Sequence, residues 1–170
     1  MSIRKASHDN VKLRIAMCGE SNSGKTFSAL TLAKAINGNL DKTIIIDTEC
    51  RGDLYSKHFP GYKIYDFKPP FSPDKAVAAI DECAKAGMET IILDSASDVW
   101  EETRMIHENL VGTKRHLAYY MWAKVTPKWD AFRNAINNYP GHVFTCWRMK
   151  EKIVVKDNAF DRDWETLAHI

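Results

Sequence analysis

Gly19-Glu20-Ser21-Asn22-Ser23-Gly24-Lys25-Thr26 decides how the rest of the chain is read. Its spacing is G-x-x-x-x-G-K-[ST], a loop bounded by glycines and closed by a lysine and a hydroxyl residue. Such a loop wraps backbone N–H groups around phosphates, and glycine permits the tightest approaches. Lys25 supplies a cation to the outer phosphates, and the Thr26 hydroxyl can ligate magnesium. A strand-like run over 11–18 precedes the loop and a helix-like run over 25–36 follows it. The helix then aims its positive dipole end at a bound anion. Without that flanking context the octapeptide would be only a flexible polar turn. The expected phosphate-contact set is the octapeptide together with Phe27, although Glu20 to Ser23 occupy its unspecified positions.

Outward from the loop, strand-like and helix-like stretches alternate, the pattern of a mostly parallel sheet with crossover helices. Thr43-Ile44-Ile45-Ile46 and Thr90-Ile91-Ile92-Leu93 are short, wholly apolar runs of the kind buried on both faces. A third strand is expected over 62–67. Ser72 fits an N-cap and Pro73 a first helical position, so a helix is expected through Ala86. Val99, Thr103, Ile106 and Leu110 share one face of a further helix. Residues 112–116 read as an exposed loop. Thr126-Pro127 reads as the start of another helix, with Trp129, Phe132, Ile136 and Tyr139 on one face. Pro140-Gly141 then turns into a strand over 142–147, and 153–155 and 164–170 read as small edge strands. The expectation is one α/β domain over 1–170, with helices on both faces of the sheet and 1–10 as a flexible tail.

Composition agrees. The chain has 170 residues, 45% of them hydrophobic and 27% charged, which excludes collagen-like and globally disordered readings. Cys18, Cys50, Cys83 and Cys146 form no metal-ligand spacing and read as buried thiols of a reducing compartment. The N-terminus has no apolar secretory stretch, and no apolar run is long enough for a membrane span. A cytoplasmic protein with no membrane partner is therefore expected.

Two strand ends carry acids. Asp94 closes the run Thr90 to Leu93 at the sheet edge where ligands of open parallel sheets collect. It suits either a magnesium site or a cap on the following helix. Ile46-Asp47-Thr48-Glu49 puts Glu49 just beyond a buried strand, where its carboxylate could orient a water. A solvated loop residue or a partner for Arg51 is an equal reading on spacing alone.

The combination GESNSGKT, IIDTE and TIILDS resembles the RecA-like P-loop ATPases, of AAA type. Within that class the chain is most similar to short phage-encoded nucleotide-binding proteins, including the single-strand-annealing recombinases of the Sak group. Trp122-Ala123-Lys124-Val125, Tyr139-Pro140-Gly141-His142 and Arg148-Met149-Lys150-Glu151-Lys152 add to the likeness by their order. The resemblance implies a RecA-like core that binds ATP and Mg2+, with Lys25 and Thr26 on phosphate and magnesium. It further implies that Asp94 supports the metal and that Glu49, with Lys25, is catalytic. It also implies a homo-oligomer. RecA proteins sense the γ-phosphate with a glutamine at the end of the next strand. Here that region reads Thr145-Cys146-Trp147-Arg148, which leaves Thr145 or Arg148 for any such role.

The net charge of +2 hides an uneven distribution. Residues 112–156 hold nine Lys or Arg against Asp130 and Glu151, a net of +7, interleaved with eight aromatics. Basic side chains among aromatic rings suit single-stranded nucleic acid, though core aromatics beneath a solvated lysine face give the same composition. Trp129, Phe132, Tyr139 and Phe144 read as core. Lys114, Arg115 and His116, together with Arg148, Lys150, Lys152 and Lys156, read as DNA contacts. In RecA-like proteins the corresponding loops line the DNA path.

Two other functions compete. A P-loop kinase would need an ordered set of lid arginines, and only Arg104, Arg115 and Arg133 are candidates. A nucleotide-gated assembly module without turnover is the other. A GTPase is disfavoured because no N-K-x-D signature is present.

Overall fold

The structure is a computed structural model that describes residue 5, residues 11–156 and residues 159–166. The expected tail over 1–10 lies, apart from residue 5, outside the described residues. Five parallel strands form the sheet in the order β1-β5-β4-β2-β3: β1 (Arg14–Gly19), β2 (Thr43–Asp47), β3 (Lys63–Asp66), β4 (Thr90–Asp94) and β5 (His142–Lys156). A sixth strand, β6 (Ala159–Thr166), pairs antiparallel with the outer part of β5, beginning at Met149. The helices are α1 (Lys25–Asn37), α2 (Pro73–Lys85), α3 (Ala96–Val111) and α4 (Ala118–Asn138).

Alternation along the strands divides the core between two faces. Ile45, Ile92, Phe144 and Cys146 pack under α1 against Ala29, Leu30 and Ala33. Ile44, Ile46, Ile91, Leu93, Val143 and Trp147 face the other way, onto α2, α3 and α4. Each large apolar side chain so buried contributes about 1.5–3 kcal/mol. The sheet is thus covered on both faces, which is why β2 and β4 are apolar without interruption.

Local signals set most boundaries. The Ser72 hydroxyl accepts from the Lys75 N–H, and Pro73 opens α2, whose last residue is Lys85. Gly38, with φ 77°, ends α1. Trp129, Phe132, Tyr139 and Phe144 are all buried, as expected of core aromatics.

Several expectations need correction. The first strand begins at Arg14 rather than Val11, because Val11 is exposed and makes no ladder. Thr126-Pro127 does not start a helix: α4 runs continuously through Pro127. Proline removes one N–H bond, here to the carbonyl of Ala123, but both residues are exposed, so water can satisfy that carbonyl. Val125, Trp129 and Phe132 meanwhile anchor the continuing helix to the core. The buried face of α3 carries Val99, Thr103 and His107 rather than Ile106 and Leu110. Residues 112–116 include the start of a 3-10 turn, Arg115–Leu117. The segment over 153–155 is the continuation of β5, not a separate strand, and β6 starts earlier than 164. Cys18 and Cys50 are exposed, whereas Cys83 and Cys146 are buried, where burial pushes both thiols up. Among the described residues no helix is long and apolar enough to cross a membrane.

Candidate functional site

Parallel pairing brings the C-terminal strand ends to one edge. Gly19 stands opposite Arg148, Asp94 opposite Cys146, and Asp47 opposite Asp94. Because β5 is inserted between β1 and β4, Arg148 lies between the loop strand and the Asp94 strand. Ser21 to Thr26, Glu49, Arg51, Leu54, Tyr55, Asp94 and Arg148 line one cleft at this edge.

The loop is shaped by its two glycines. Gly24 has φ 85°, a left-handed conformation that an L side chain adopts only at a cost. At Gly19 a Cβ would come within 2.6 Å of Ser23 Oγ. The loop curls over the lysine, whose Nζ donates to the carbonyls of Gly19 (3.1 Å) and Glu20 (2.6 Å). The turn leads directly into α1, whose first turn carries no acid to compete with an anion for its N–H groups. Phe27 is not among the residues lining the cleft; it packs edge-on against Phe59 (4.9 Å) and against Tyr55 (6.2 Å), which does line it.

The Thr26 hydroxyl donates to Asp94 Oδ2 across the cleft. Burial is the main cause that raises the Asp94 carboxyl above its ordinary range, and Glu49 and Asp47 raise it further. The Thr26 bond and the Lys25 charge pull it back. A half-buried carboxylate crowded by like charges and paired with a hydroxyl is a donor set that fits a magnesium ion. Magnesium commonly takes one or two protein ligands and completes its shell with phosphate oxygens and water. The Asp94–Ser95 peptide is cis.

Asp47 and Glu49, two residues apart, do different things. Asp47 is buried and accepts from the N–H of Glu49 (2.8 Å) and of Gly52 (2.6 Å). It locks the turn that presents Glu49 to the cleft. The Glu49 carboxylate lies 3.6 Å from Arg148 Nη1, so its cationic neighbour is Arg148 and not Arg51. Arg148 Nη2 donates to Asp98 Oδ1, while Asp98 Oδ2 accepts from Thr48 Oγ1 at 2.5 Å. The Arg148 N–H donates to Ser97 Oγ at 2.8 Å. The end of β2, the start of α3 and β5 are thereby tied together around the cleft.

Sequence reasoning did not find Asp98, Leu54 or Tyr55. Asp98 sits on the first turn of α3, where an acid suits the helix N-terminus, and nothing in its spacing ties it to Arg148. Leu54 and Tyr55 follow Glu49 in a 3-10 turn, Gly52–Tyr55, and only the fold turns them toward the loop. Of the residues expected to touch DNA, Arg148 has its side chain in this cleft. Lys114, Arg115 and His116 are exposed on the segment between α3 and α4. Lys150, Lys152 and Lys156 lie on the outer part of β5, and their side chains are outside the described residues. The arginines weighed for a kinase lid stand away from the cleft lining. Arg104 pairs with Glu108 and Arg133 with Asp130.

Against known proteins, residues 11–164 match a family model described as an AAA domain. No curated protein matches the chain.

Proposed function

The chain belongs to the AAA domain family, and from that premise we propose that it is an Mg2+-dependent ATPase. We further propose that it couples hydrolysis to single-stranded DNA, in the manner of phage-type recombination or annealing proteins. The observation that carries the first reading is the convergence of Lys25, the Thr26–Asp94 pair and Glu49 on one cleft.

The chemistry follows from these residues. The loop N–H groups and Lys25 hold the triphosphate and oppose the charge that develops on it. Thr26 and Asp94 would hold magnesium, which supplies further charge neutralisation when bound. Glu49, fixed through Asp47, is placed to accept hydrogen bonds from a water and orient it for in-line attack. Leu54, which is 68% exposed, and Tyr55 give the cleft an apolar rim suited to a nucleobase.

The DNA reading is supported by the Lys114-Arg115-His116 segment, all exposed, with none of the described ion pairs engaging it. It includes assembly into a homo-oligomer in the cytoplasm, bacterial if the protein is phage-encoded. The outer β5 lysines extend the same basic region in sequence. The rate of phosphate release with and without single-stranded DNA tests both parts. Stimulation by DNA is the expected result. Turnover unaffected by DNA removes the coupling, and ATP binding without phosphate release favours a nucleotide-gated assembly module.

A further inference from the structure

Tyr119 and Tyr120 are 84% and 69% exposed, whereas Trp129 and Phe132 of the same helix are buried and Trp122 is partly covered. They stand edge to face with ring centroids 5.9 Å apart, on the first turn of α4. That turn is rigidly mounted. His107 Nε2 lies 2.8 Å from the Ala118 carbonyl oxygen, and the His107 ring stacks on Trp122 at 4.0 Å. Trp122 in turn stacks on Trp100. No residue from 112 to 124 is buried, so this end of α4 rests on α3 while Val125, Trp129 and Phe132 enter the core.

Along the chain, the stretch around the rings carries one sign of charge, although the supporting α3 bears Glu101, Glu102 and Glu108. Between Glu108 and Asp130 the chain has no acid, and Lys114, Arg115, His116 and Lys124 are all exposed beside or just after the tyrosines. Leu117, at the N-cap of the helix, supplies no side-chain cap, and the first turn holds no acid. Solvent-facing rings held on a fixed turn beside a basic stretch of chain match a ligand with aromatic faces and a polyanionic backbone. A protein partner would call for a broader apolar patch around the rings, whereas here the flanking Lys114, Arg115, His116 and Lys124 are charged or polar.

We propose that Tyr119 and Tyr120 form a stacking platform for the bases of single-stranded DNA, with Lys114 and Arg115 engaging its phosphates. This rests on the DNA-binding reading above and names the residues that grip the bases. Basic side chains capture any strand; the tyrosines distinguish bases from bare backbone.

The test is fluorescence anisotropy with two labelled oligonucleotides of equal length, one of thymidines and one wholly abasic. The native protein is expected to prefer the thymidine strand. Changing both tyrosines to alanine should weaken that strand by between about 5- and 150-fold for each base stacked, leaving abasic binding and the salt slope unchanged. Phenylalanine at both positions should restore binding. Equal native affinity for the two strands overturns the platform while leaving DNA binding in place, and it needs no variant. Binding of neither strand removes the DNA reading itself, and the platform with it. Replacing Lys114 and Arg115 by alanine should weaken both strands together and flatten the salt slope. If the tyrosine-to-alanine change instead abolishes self-association seen by sedimentation without DNA, the rings are a protein contact and the proposal fails.

Discussion

Arg148 and Glu49 meet at 3.6 Å although 99 positions separate them in sequence, and Asp98 holds the same guanidinium from its other side. Arg148 is therefore shared between the carboxylate proposed to orient water and the first turn of α3. Its Nε is buried with no partner, so the guanidinium's ion pairs run through the two terminal nitrogens.

Turnover should respond to both members of that pair, by different amounts. Glu49→Gln removes the acceptor that orients water and is expected to cost about 10²- to 10⁴-fold in kcat, with nucleotide affinity retained. Arg148→Gln removes a charge-assisted contact worth about 1.5–3 kcal/mol, so a loss of roughly 10- to 100-fold is expected. Steady-state kinetics beside equilibrium nucleotide binding checks both. Full activity in Glu49→Gln would remove that residue from the mechanism.

Metal dependence should pass through Asp94. Chelation is expected to stop turnover while leaving the thermal midpoint without nucleotide unchanged, because the fold rests on the sheet core. Asp94→Asn should raise the magnesium concentration for half-maximal activity by about 10-fold or more. It should also be no less stable than the native protein, since Glu49 and Asp47 already crowd that carboxylate. Metal titration of activity and thermal unfolding read the two effects separately.

Two glycines should fail for different reasons. Gly24→Ala places a Cβ in open space, so its cost is the left-handed backbone alone, about 1–2 kcal/mol, with loss of phosphate binding. At Gly141 a Cβ would meet the Glu89 carbonyl oxygen well inside contact distance. Backbone must move to admit it, and Gly141→Ala is expected to cost about 3 kcal/mol or more. Denaturant unfolding ranks them.

Acid should loosen the start of β1. His142 Nδ1 accepts from the Leu13 N–H at 3.1 Å, which requires a neutral ring. Burial foremost, then Lys12 and Arg14, lower its pKa, with Glu89 opposing. Its contribution is therefore complete above the unfolded-chain value of about 6.5 and is lost as pH falls through the depressed folded value. Loss of one such bond, about 1 kcal/mol, lowers Tm by about 2–4 °C. His142→Asn keeps an acceptor without the titration, so its Tm should fall less between about pH 8 and pH 5. Parallel Tm curves for the two proteins would refute this.

Much of the fold was legible from short-range pattern alone. The octapeptide spacing, the apolar runs ending in Asp94 and in Asp47, the Ser72-Pro73 start and the core aromatics each depend on neighbours a few positions away. Such signals act through local backbone conformation and side-chain alternation, which sequence displays directly. Pro127 misled for the same reason: its local preference points to a helix start, and burial of Val125, Trp129 and Phe132 overrides it. Tertiary structure alone decided which side chains meet at the sheet edge. Insertion of β5 between β1 and β4 sets Arg148 opposite Gly19, and that register, not any spacing, delivers it to Glu49 and Asp98. Exposure is likewise a property of packing. Trp122 and Tyr119 are three residues apart on one helix, yet the rings of His107 and Trp100 stack on the first and leave the second to solvent.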